Sequence, residues 1–82
     1  MPVVLRLYGF AFSFFSSDRD ERPHVHVRKG DGRAKFWLEP VDLDKYKGFS
    51  PHELRLIARI IRQHEARILT RWHDYFGTGS ES

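Results

Sequence analysis

Arg22-Pro23-His24-Val25-His26-Val27-Arg28-Lys29-Gly30-Asp31-Gly32-Arg33-Ala34-Lys35-Phe36-Trp37-Leu38-Glu39 is the stretch that decides the fold. Valine and histidine alternate through its first half, and a β-strand sends successive side chains to opposite faces. Val25 and Val27 therefore share one face, and His24, His26 and Arg28 the other. Gly30-Asp31-Gly32 signals a tight hairpin, with either Gly30-Asp31 or Asp31-Gly32 as the turn. Both registers pair odd-numbered residues of the first strand with even-numbered residues of the second. Ala34, Phe36 and Leu38 then meet the valines in a core. Lys35, Trp37 and Glu39 join the histidines and Arg28 on the opposite face, where function is expected.

Upstream, residues 3–8 and 10–16 read as two strands, with Gly9 as a turn or bend. Phe10, Phe12 and Phe14 recur at period two and make an apolar face. Residues 16–23 form a charged loop, and Pro23, which has no amide hydrogen, suits the entry to a strand. Downstream, Pro40 stops the hairpin, residues 41–44 add a short edge strand, and residues 45–49 connect onward.

Ser50-Pro51-His52-Glu53 is a helix start: serine caps, proline fits the first turn, and glutamate completes a capping box. Leu54, Ile57, Ala58, Ile61, Ile68, Leu69, Trp72, Tyr75 and Phe76 then fall on one arc at helical period. A single helix to Phe76 would be about 39 Å long at 1.5 Å per residue, and Glu65 falls inside the apolar arc. A bend or break near Gln63-His64-Glu65 is therefore expected. The fold class is α+β: a small antiparallel sheet of about four strands packed against a C-terminal helix, bent or split. One domain over residues 1–76 and a flexible tail over 77–82 complete the expected organisation.

The chain has 82 residues, 40% of them hydrophobic, and seven phenylalanines, which suffices for a core and argues against disorder. No cysteine is present, so disulfides and thiolate metal sites are excluded. Neither a secretory signal nor a membrane-spanning run is recognisable, so a soluble cytoplasmic protein without membrane contact is expected. The formal net charge of +3 is weak support for a nucleic-acid partner. No phosphate-binding loop, dinucleotide glycine pattern or nucleophile elbow appears, and no cofactor is expected.

His24 and His26 are the candidate catalytic residues, since imidazoles two apart on a strand can flank one phosphate and exchange protons near neutrality. The same pair could ligate a metal only with a third ligand, for which Asp18, Asp20, Glu39, His52 and His64 are available; no metal is assigned. Arg22, Arg28 and Lys35 are the candidate phosphate contacts, with Trp37 as a stacking platform. Leu56 and Ile60 beside Arg67 are the candidate partner-binding residues, because apolar groups set among arginines are common at interfaces.

Met1-Pro2 with Arg6, Tyr8 and Gly9, then Pro23-His24-Val25-His26, Phe36, Ser50-Pro51 with Leu54 and Leu56, and His64-Glu65 with Leu69 and Trp72 form a recognisable series. In these residues, spread over most of positions 1–76, the chain resembles a bacterial family named domain of unknown function 4160. Members usually carry an Asp-His pair and two prolines before the histidine strand, where this chain reads Asp18-Arg19-Asp20-Glu21-Arg22-Pro23. The resemblance implies a gene neighbour from the domain-of-unknown-function 2442 family, in a pair of toxin–antitoxin type. It thus implies a small cognate protein partner and an activity directed at nucleic acid, RNA first. Self-association, a non-enzymatic docking module, and a metal-binding protein using His24 and His26 are the alternatives.

Overall fold

The computed structural model describes residues 3–77. Five strands follow one another across a single sheet: β1 (Val3–Leu7), β2 (Phe10–Ser13), β3 (His24–Lys29), β4 (Gly32–Trp37) and β5 (Asp42–Lys47). Each runs antiparallel to the next. A short 3-10 helix, Ser16–Asp20, sits between β2 and β3, and α1 (Pro51–Phe76) follows β5. Residues 78–82, most of the expected tail, lie outside the described residues, as do Met1 and Pro2.

The β3–β4 hairpin turns at Gly30-Asp31 and pairs Val25 with Phe36, Val27 with Ala34, His24 with Trp37, and His26 with Lys35. The face assignment expected from the alternation is observed for the core side and, opposite it, for His26, Arg28 and Lys35. Val25, Val27, Phe36 and Leu38 join Phe10, Phe12 and Phe14 beneath Ile57, Ile60, Ile61, Ile68, Trp72 and Phe76 of α1. Gly32 opens β4 as glycine because the Phe49 ring lies 2.5–2.8 Å from where a Cβ would stand.

Two expectations are corrected. The sheet has five strands rather than about four, because the expected edge segment continues through residues 45–47 as β5. Its pattern was masked by a bulge: Lys45 pairs with Lys35 but Leu43 with Phe36, so Asp44 is an extra residue that breaks the two-residue period. The helix, in turn, runs without interruption from the Ser50 cap to Gly77. Ser50 Oγ accepts the Glu53 amide at 3.1 Å and Glu53 Oε1 accepts the Ser50 amide at 2.8 Å, completing the expected capping box.

The helix stays whole because each reason for a break has a local answer. Glu65 is half-buried, and its carboxylate accepts the Glu39 amide at 2.9 Å in the turn between β4 and β5. The last turns are covered by His24 of β3 and by the segment leaving β2. The Phe14 ring lies 5.1 Å from Trp72 and 6.2 Å from Phe76, centroid to centroid. Phe14→Ala is therefore expected to cost about 3–5 kcal/mol in denaturant unfolding. It should also speed amide exchange over residues 72–76 more than over residues 57–61. Uniform acceleration along α1 would show that the strands alone hold the helix end.

Candidate functional site

On the sheet face away from α1, cross-strand pairing arranges side chains in rows. One row runs Arg6, Ala11, Arg28, Arg33 and Lys47 from β1 to β5. A second runs Ser13, His26, Lys35 and Lys45, and a third His24, Trp37 and Asp42. Directly opposed like charges destabilise a sheet by tenths of a kcal/mol to about 1 kcal/mol per pair. Yet Arg28 faces Arg33, Arg33 faces Lys47, and Lys35 faces Lys45. Among the described residues Arg28, Arg33, Lys45 and Lys47 make no ion pair. They line a shallow cavity of about 650 Å³ together with His26, Lys35, Phe15 and Tyr46.

At one end of this cavity the 3-10 segment folds back over the start of β3. Asp18 is buried, and its Oδ2 accepts the Phe15 amide at 2.8 Å, which fixes the loop in a capped turn. The same carboxylate faces both histidines: Asp18 Oδ1 is 3.1 Å from His24 Nε2, and Oδ2 is 3.2 Å from His26 Nε2. Phe15 stacks on the His26 ring with centroids 4.0 Å apart. Burial alone raises the Asp18 carboxyl, but the Phe15 amide and the two histidines outweigh it and hold the group below its ordinary value. Burial lowers His26 below its ordinary value, against the opposing pull of Asp18. His26 therefore favours the neutral imidazole, the form that ligates metals and accepts protons.

The sequence-assigned residues separate into groups here. His26 reaches the cavity with a side chain 21% exposed, whereas His24 has no exposed surface. His24 packs 5.3 Å from both Trp37 and Trp72, ring to ring, so its expected place on an open face is corrected. Alternation gave its face, but Asp18 and the last turns of α1 cover it. Trp37 is not a free platform either: Arg22 stands 5.0 Å and Lys35 4.5 Å from its ring centroid. Arg22 donates to the Leu38 carbonyl at 3.0 Å, and Lys35 pairs with Glu21 at 2.8 Å and Asp44 at 3.6 Å. The Lys35 hydrogen bond holds the exposed Glu21 carboxyl below its ordinary value.

Of the expected phosphate contacts, Arg28 alone lines the cavity without an own-chain ion pair. Lys45 and Lys47 were missed, since the bulge at Asp44 hid their strand. Among the partner-binding candidates Ile60 is 1% exposed and belongs to the core, which corrects its assignment. Leu56 is half-buried against that core, and Arg67 is exposed. The suggested third ligands Glu39, His52 and His64 stay apart from the histidine pair, whereas Asp18 joins it.

Fold and site together define a small α+β domain: a meander sheet with a helix on one face and a cationic, histidine-bearing cavity on the other. The chain belongs to the family described as Domain of unknown function (DUF4160), whose model matches residues 9–73. No curated protein and no solved structure matches it. No helix among the described residues is long and apolar enough to cross a membrane.

Asp18 is the one group joining the loop to both histidines. Asp18→Ala would leave the Phe15 amide and His26 Nε2 without their acceptor, at a cost of about 1–3 kcal/mol. Asp18→Asn keeps a carbonyl for Phe15 and should recover part of that loss in the same denaturant titration. Equal stability of the alanine variant and the parent would contradict the organising role.

Proposed function

We propose that this domain binds single-stranded nucleic acid, RNA in the first instance, on the helix-free face of its sheet. The observation that carries the reading is the row of directly opposed Arg28, Arg33 and Lys47, with Lys45 beside it. A sheet tolerates repelling neighbours at a cost to folding, and a phosphate backbone laid along the row would relieve it. Arg33 holds its guanidinium in place by donating to the Gly30 and Gly32 carbonyls at 2.8 Å. Phe15, 36% exposed, offers a ring on which an unpaired base can stack.

In this reading His26 is the imidazole able to reach a bound strand, and His24 positions it from within the core. The toxin-like role and cognate partner implied by the family resemblance belong to the same proposal. A partner would silence the protein by covering this face, rather than by docking on Ile60. The Lys35–Glu21 pair at the rim sets the cavity's edge and leaves Arg28, Arg33, Lys45 and Lys47 as the available cations.

The test is fluorescence anisotropy with labelled oligouridylate, oligothymidylate and duplex DNA across a salt series. Four phosphate contacts on a single strand should give a log–log slope of roughly −3, at about 0.7 per contact. Arg28→Ala and Lys47→Ala should each weaken binding and flatten the slope by about 0.7. Arg55→Ala, on the exposed side of α1, should leave the slope unchanged. Salt-independent binding, or equal effects at Arg55 and Arg28, would refute the face assignment.

A further inference from the structure

His24 has two ring nitrogens in opposite situations. Nδ1 lies 2.9 Å from the Arg22 carbonyl oxygen, and a carbonyl only accepts, so Nδ1 carries the proton. Nε2 then presents the ring's lone pair. It is fully buried and 3.1 Å from Asp18 Oδ1, off the hydrogen-bonding direction, with no hydrogen-bond partner among the described residues. A lone pair and a carboxylate oxygen held that close repel each other unless a positive charge lies between them. His26 supplies a third atom: its Nε2 is 3.2 Å from Asp18 Oδ2 and 3.4 Å from Oδ1. One ligand atom from each of the three residues falls within 4.8 Å of the others.

We propose that Asp18, His24 and His26 bind a divalent transition-metal ion of the borderline class to which Zn²⁺ belongs. Ligands about 2.0–2.2 Å from a tetrahedral ion stand roughly 3.3–3.6 Å from one another, close to the 3.1 and 3.2 Å that separate the Asp18 oxygens from the two Nε2 atoms. Two imidazoles and a carboxylate form a three-ligand set that leaves a coordination position for water or substrate. The Nδ1–H bond to a backbone carbonyl is the outer contact that orients a ligating histidine and fixes its tautomer. His24 and Asp18 close the site from the core side. His26, part-exposed and lining the basic cavity, turns the remaining position toward it. A phosphate oxygen or a water molecule fits there chemically. The metal site goes beyond the nucleic-acid reading and stands without it.

The test uses the full chain, stripped with a chelator, dialysed and titrated with Zn²⁺ by calorimetry and thermal unfolding. The expected result is saturable binding of one ion per chain with a rise in melting temperature that grows with free Zn²⁺. His26→Ala and Asp18→Asn, each checked by circular dichroism, should weaken Zn²⁺ binding by at least about ten- to a hundredfold, the range for losing even an outer contact. His24→Ala is set aside because that ring is part of the core. His52→Ala should bind as the parent does. No saturable binding would overturn the proposal and leave a proton as the charge between His24 and Asp18. Parent-like binding in His26→Ala and Asp18→Asn, or its loss in His52→Ala, would overturn it equally by placing the ion elsewhere.

Discussion

The structure depends on one buried carboxylate. Asp18 accepts the Phe15 amide and thereby turns the loop after β2 back across the start of β3. That turn puts two neighbouring phenylalanines to different uses. Phe14 goes inward, under Trp72 and Phe76, and extends the cover available to α1. Phe15 goes outward and stacks on His26. The same carboxylate faces both histidines, so the loop conformation, the helix end and the histidine pair are mechanically one unit. Burial alone would push this acid towards its neutral form, and the hydrogen bond from the Phe15 amide is the largest influence holding it below its ordinary value.

Electrostatics divide the helix-free face into two zones. Around Trp37 the charges are satisfied within the chain: Lys35 meets Glu21 and Asp44, and Arg22 meets a carbonyl and the indole. Towards the Gly30-Asp31 turn no carboxylate among the described residues pairs with the cations, arginine stands opposite arginine across β3 and β4, and Arg33 donates to the Gly30 and Gly32 carbonyls. The first zone is neutralised within the chain, and the second keeps an excess of cations. His26 sits on the border of the two, paired across strands with Lys35 and lining the cavity with Arg28.

Period-two alternation carried most of the fold into view. It assigned the faces of β3 and β4, and the Ser50-Pro51-His52-Glu53 start located α1 to the residue. It failed where structure is decided by residues distant in sequence or by an insertion. The Asp44 bulge interrupts the alternation of β5, so Lys45 and Lys47 read as a loop. Glu65 looked like a fault in an apolar arc because its partner, the Glu39 amide, lies 26 residues earlier. Of the site, the histidine pair was legible, but Asp18 was one of five available acids and histidines. Nothing local in the sequence says that a 3-10 turn carries it over the strand. The burial of His24 was equally hidden, since alternation gives a side chain's direction and not what lies above it.

In the proposed metal site His24 directs an unprotonated Nε2 at Asp18 and keeps its proton on Nδ1. Long-range proton–nitrogen correlation spectra of the imidazole rings test it directly in metal-free protein. His24 Nδ1 should show the shift of a protonated nitrogen and Nε2 that of a lone-pair nitrogen, the latter moving when Zn²⁺ is added. A proton on His24 Nε2 in metal-free protein, unmoved by Zn²⁺, would contradict it.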